Sequence, residues 1–178
     1  MSQNTATGER ADILAMLAEQ REMLLITVRG LDEQGARARS TVSDLTLGGL
    51  IKHVSNTEKH WIETIRNLDD TTTFDMDAAM EQYYMRDDET LAGLLERYEA
   101  TVKDTEEFVA RLDDLDLQVP LPTAPWAPER EWWSARKVLL HIIRETAHHS
   151  GHADIIRESL DGANATMQRG ADAGMEFD

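Results

Sequence analysis

The chain has 178 residues and no cysteine, which removes disulfides, thiolate metal sites and a cysteine nucleophile together. Its 18 Lys and Arg stand against 34 Asp and Glu, and the net charge of −16 repels phosphate backbones and anionic membrane faces, so neither nucleic acid nor membrane is an expected partner. A length of 178 residues with 41% hydrophobic content suits one enclosed core, no apolar run approaches the ~20 residues that cross a bilayer, and MSQNTATGER lacks the regions of a signal peptide, so a cytoplasmic protein is expected.

The first helical period runs from about Glu9 to Val28, with Ile13, Leu17, Leu24 and Val28 recurring at helical spacing and Gly30 as the stop. A polar, arginine-bearing loop leads to Ser43. Thr46 can cap the second helix, which carries Leu47, Ile51, Val54, Trp61, Ile65 and Leu68 on one side. A long connection from Asp69 to Asp88 contains Thr71 to Thr73 and the aromatic pair Tyr83 and Tyr84. The third helix, about Thr90 to Leu115, repeats Leu91, Leu94, Leu95, Tyr98, Val102, Phe108, Val109 and Leu112.

All four prolines fall between Pro120 and Pro128, where they mark an extended or turning loop. Ser134 is a plausible cap for a fourth helix from Ala135 to about Leu160, stopped near Gly162. The fold class is all-α, a four-helix bundle over residues 1–162, and no strand pattern competes with it. The 163–178 tail is polar and is expected to fray. The connection between the second and third helices is far longer than an antiparallel hairpin needs, so it can cross the length of the bundle and a plain up-down-up-down topology is disfavoured.

Chemistry concentrates in ETAHHSGH, Glu145 to His152. Taking 100° per residue from Val138, the apolar Ile142, Ile156 and Leu160 fall within about 40°, and so do Glu145, His149 and His152. A carboxylate in an apolar seam must be neutral, paired or bound to a cation. Glu145 and His149, at i and i+4, can chelate one divalent ion through oxygen and nitrogen, or form a simple ion pair. A third ligand has to come from another helix. His53, on the flank of the second helix, is the best candidate, against the alternative of a half-buried histidine satisfied by a carbonyl.

Glu58 falls within about 20° of Leu47, and either supports the ligands from behind in a catalytic role or is the partner in a buried ion pair. His152, one turn beyond His149, can be a fourth ligand, a proton shuttle or a substrate contact. His148 and His141 lie to one side, and His60 reads as structural. Trp61, Trp126, Trp132 and Trp133 are core or loop anchors, and the last three can also roof an apolar pocket. No phosphate-binding glycine loop, HExxH or GxSxG is present.

The segment TLGGLIKHVSNTEKHW, followed by VLLHIIRETAHHSGHADIIRESLDG, resembles the DinB-like superfamily of four-helix metalloproteins, from Glu9 through Gly162. It is most similar to the branch of actinobacterial proteins that includes mycothiol-dependent transferases. The resemblance implies a divalent metal between the second and fourth helices. Many members use two histidines as HxxxH on the last helix. Here the matching pair is Glu145 and His149, like the His-Glu-His variant of mycothiol-dependent isomerase relatives, which gives His53, Glu145 and His149. The register using His148 and His152 stays open.

Zinc accepts such nitrogen and oxygen donors together, and nickel, iron or manganese suit them too; the resemblance implies mycothiol as co-substrate. It makes the partners a small-molecule thiol and an electrophile, with a homodimer also compatible. The leading expectation is a metal-dependent transferase of a low-molecular-weight thiol. The alternatives are a metal-dependent hydrolase with His152 as base, and a stress-related helical bundle whose metal is structural.

Overall fold

In the computed structural model, which describes residues 6–175, four long helices carry the fold: α1 (Glu9–Ile26), α3 (Leu47–Asn67), α5 (Leu91–Arg111) and α6 (Ala135–Asp161). The first five residues of the N-terminal stretch and the last three of the polar tail lie outside that range. Three shorter helices join them, α2 (Glu33–Arg37), α4 (Met76–Glu81) and α7 (Ala165–Asp172), together with strands β1 (Gln118–Pro120) and β2 (Trp132–Ser134). No helix among the described residues is long and apolar enough to cross a membrane.

The helix starts lie where the sequence places them. The Thr46, Thr90 and Ser134 side chains accept hydrogen bonds from the Gly49, Gly93 and Lys137 amides, satisfying donors that the first turn leaves free. Gly162 closes α6 with φ of 79°, a left-handed conformation that favours glycine.

Strong packing joins α1 to α6, α6 to α3, and α3 to α5, so the consecutive long helices α1 and α3 lie across the bundle from one another. Direction follows from paired residues. Lys52 meets Glu89, Ser55 approaches Thr101 and Glu58 meets Thr105, so α3 and α5 run parallel. Glu9 pairs with Arg136, and Arg157 donates to Thr27 and Arg29, so α1 and α6 also run parallel. Parallel neighbours need a crossover, and the 68–90 connection supplies it, as the sequence anticipates.

The interior has two apolar layers. One centres on Leu24, Leu47, Leu50, Ile51, Leu94 and Ile156, the other on Ile13, Leu17, Ile62, Ile65, Leu139 and Ile142. A buried polar group lies on α3 between Val54 and Ile62. Glu58, with no exposed surface, takes two hydrogen bonds from Arg21, at 2.5 and 3.1 Å, and one from the Thr105 hydroxyl at 2.6 Å. This places Glu58 in the ion pair that was one of its two readings, tying α1, α3 and α5 together. Its oxygens are taken up there and do not approach the histidines.

Four local features differ from the sequence reading. The third helix ends at Arg111, and Leu112 turns extended, because the chain must bend into the hairpin. In that hairpin Val119 pairs with Trp133 and Pro120 with Trp132, strands of three residues each, too short for alternation to be visible. The loop before Ser43 contains α2, capped by Asp32. Residues 165–172 form α7, capped by Asn164 and held to α1 by the ion pair of Arg169 with Glu22 and to the turn after α1 by that of Asp172 with Arg29.

Candidate metal centre

His53 projects from α3, and Glu145 and His149 project one turn apart from α6, across the antiparallel α3–α6 seam. One donor atom from each falls within 4.8 Å of the other two, the one such three-residue cluster among the described residues. His149 Nε2 lies 3.7 Å from Glu145 Oε2, and the His53 and His149 rings meet edge to face with centroids 4.5 Å apart. His53 and His149 are buried, whereas the Glu145 side chain keeps 20% of its surface at the edge of a cavity.

Both ring nitrogens of His53 are buried without a hydrogen-bond partner. Leaving such atoms unsatisfied costs about 1–3 kcal/mol each, and a cation on one nitrogen removes part of that cost. The protonation states suit a cation. Burial pushes His53 down to about 4, with the nearby His149 adding to the effect and Glu145 opposing it. Burial also pushes His149 down to about 4, against the attraction of Glu145. Burial favours protonation of Glu145, but the Arg144 hydrogen bond and the charges of His141, Arg144 and His149 outweigh it and hold the carboxyl below its usual range. Two neutral imidazoles and one carboxylate are the donor set that a tetrahedral zinc site with an open position uses.

Around these three lie the groups that orient them. Arg144 donates to Glu145 Oε1 at 2.8 Å and to His141 Nδ1 at 2.7 Å. That contact puts the proton of a neutral His141 on Nε2. His152 Nδ1 lies 3.4 Å from His149 Nδ1, the nitrogen turned away from Glu145. His152 therefore stands behind a candidate ligand and not beside it. His148 stacks on His149 and tilts against His152 on an exposed face, and the His148–His152 register gathers no third donor among the described residues.

Sequence reasoning did not find Tyr83 as part of the site. Its ring lies on His53, centroids 3.9 Å apart and planes at 17°. Two features hold it there. A Cβ added to Gly49 would come within 2.1 Å of the Tyr83 carbonyl oxygen, so glycine lets the connection lie flat on α3. Lys52 donates to the Tyr84 carbonyl at 2.8 Å and to Glu89 at 2.9 Å. Burial opposes ionisation of Glu89, yet the Arg86 amide and the Lys52 ammonium hold its carboxyl down to about 2. The pair Gly48 and Gly49 at the start of a helix was the signal available.

A cavity of about 750 Å³ opens beside the cluster, with His53 and Glu145 in its wall. Its far side is made by the 68–90 connection and the proline loop, bringing in Phe74, Met76, Met80, Tyr83 and Trp126. His60, read as structural, faces this space, and so does His141. Of the clustered tryptophans, Trp126 roofs the cavity, Trp133 stacks on Trp61 at 5.9 Å, and Trp132 is 52% exposed on β2. A larger cleft of about 900 Å³ between α1 and α5 contains none of the histidines.

Residues 12–162 match a protein family described as Mycothiol-S-transferase. No curated protein matches the chain. Among solved structures, the crystal structure of a conserved protein from Enterococcus faecalis superposes with a TM-score of 0.62 at 16% identity, covering 89% of this chain and 100% of that one. That likeness is one of fold.

Proposed function

We propose that this chain, which belongs to the Mycothiol-S-transferase family and has its DinB-like fold, is a divalent-metal-dependent transferase that joins a low-molecular-weight thiol, mycothiol, to an electrophilic small molecule. The observation that carries the reading is the position of His53. A buried imidazole with no partner for either nitrogen stands beside Glu145 in the wall of a cavity large enough for two substrates, and His149 completes the donor cluster with them. The sulfur must arrive on a substrate, because the chain has no cysteine.

His53, Glu145 and His149 would hold the ion, for which zinc is our choice, and when bound it lowers the pKa of a thiol so that thiolate is available near neutral pH. The chain's own groups do the rest. Arg144 fixes the carboxylate of Glu145, while Tyr83 fixes the ring of His53. Support of this kind behind the ligands tunes a metal site. The walls from the connection and the proline loop exclude water from the thiolate. In the transfer, the carbon–sulfur bond forms, the leaving group departs with its electron pair, and the thiol proton goes to water.

The competing readings have less support. A hydrolase with His152 as base needs that imidazole in the cavity, and His152 does not line it. A structural metal closed by His152 needs it beside the ligand donors, and it instead approaches His149 from behind. The test is to incubate the metal-loaded protein with mycothiol and a chlorodinitroarene. A thioether product, absent with Glu145→Ala, supports the transferase. A hydroxylated product formed without thiol would replace it with the hydrolase.

A further inference from the structure

We propose that the cavity wall formed by Phe74, Met80 and Trp126 is the subsite for the electrophile, and that it selects a neutral, flat, apolar molecule. This inference rests on the transferase reading of the same cavity. Four of the large apolar side chains that the fold leaves exposed line this one space: Phe74 at 40%, Met76 at 50%, Met80 at 52% and Trp126 at 62%. Apolar surface left in water forgoes about 25 cal/mol per Å² of burial. A concentration of it beside a polar cluster marks a binding surface.

The wall is built, not loose. Phe74 and Trp126 come from segments about fifty residues apart in sequence and meet edge to face with centroids 5.1 Å apart. The Phe74 amide donates to the Thr123 carbonyl at 2.8 Å, and the Thr123 amide donates to Thr72 at 3.2 Å. Arg130 clamps both segments through the Thr72 and Leu121 carbonyls. Two rings held at a fixed angle offer a flat ligand one face and one edge, while the thioethers of Met76 and Met80 adapt to its outline.

Charge decides the rest of the selection. Glu129, Glu131 and Glu145 line the cavity, and among its described lining residues there is no Lys or Arg. An anionic electrophile lying on this wall would meet the Glu129 and Glu131 carboxylates with no lysine or arginine in the described lining to offset them, whereas a neutral arene meets no such repulsion.

Binding can be measured apart from activity by titrating the full chain calorimetrically with 1,3-dinitrobenzene, which has no leaving group, and with the anionic 3,5-dinitrobenzoate. We expect the wild type to bind dinitrobenzene at least tenfold more tightly than dinitrobenzoate. Trp126→Ala and Phe74→Ala should each weaken dinitrobenzene at least tenfold, with Trp126→Phe recovering most of the loss and Ile155→Ala, on an exposed face of α6, changing nothing. No binding to wild type, equal binding of the two probes, or wild-type affinity in both alanine variants overturns the subsite. Zinc uptake by the wild type, measured alongside, separates the two levels. If dinitrobenzene still binds to a wild type that takes up no metal, the transferase reading fails and the arene pocket stands; if metal binds and the arene does not, the reverse holds.

Discussion

Tyr83 lies flat against His53, ring centroids 3.9 Å apart, so a residue of the long connection sets the orientation of a candidate ligand on α3. The contact exists because Gly49 leaves no side chain between α3 and the Tyr83 carbonyl, where a Cβ would sit 2.1 Å away. The backbone at Tyr83 cannot yield as a flexible side chain would.

Gly49→Ala should therefore lift the connection and loosen His53, weakening zinc affinity at least tenfold by competition with a chromophoric chelator. Gly151→Ala, where nothing lies within 4 Å, is the matched control. It should leave affinity unchanged and raise stability by up to about 1 kcal/mol through helix propensity. Equal zinc affinity in the two variants would show that Tyr83 does not position His53.

Glu58 and Arg21 should behave as structure, not as catalysts. Glu58→Ala leaves the buried Arg21 guanidinium only the longer, half-exposed pairing with Glu106 at 3.3 Å and should cost up to about 3–5 kcal/mol in urea unfolding. Replacing both partners by apolar residues, Glu58→Leu with Arg21→Met, should recover most of that. Metal content per folded chain should stay at the wild-type level in both. A metal-free but stable Glu58→Ala protein would return Glu58 to the site.

Much of this was legible in the sequence, and the boundary has a physical reason. Caps at Thr46 and Ser134 act within one turn of the residue that makes them, so a local reading finds them. The length of the 69–88 segment already implied a crossover. Glu145 and His149 stand one helical turn apart, which periodicity detects. Arg21 and Glu58 are 37 residues apart, and no local pattern on α1 marks Arg21 as buried. Trp126 was legible as a pocket roof, but its partner Phe74 was not, since the two meet only because Thr72 and Thr123 bond.

The pH dependence of stability should carry the signature of buried neutral imidazoles. Unfolded histidine takes up its proton near pH 6.5, while folded His53 and His149 are pushed down to about 4. Between those values the unfolded chain holds more protons, so the metal-free protein loses stability as pH falls from 6.5 to 4. The two groups together give a slope of up to about 2.7 kcal/mol per pH unit. Urea unfolding across this window should show that His53→Leu removes up to about half of that slope. An unchanged slope would mean that His53 titrates as it does in the unfolded chain.

The central claim is that His53, Glu145 and His149 hold one divalent ion, and it is tested most directly by metal analysis of the purified protein after equilibration with zinc and removal of excess. Wild type should retain about one ion per chain, with His53→Ala, Glu145→Ala and His149→Ala each losing it while His148→Ala keeps it. Full retention in all three site variants, or loss only when His148 or His152 is replaced, would contradict the account.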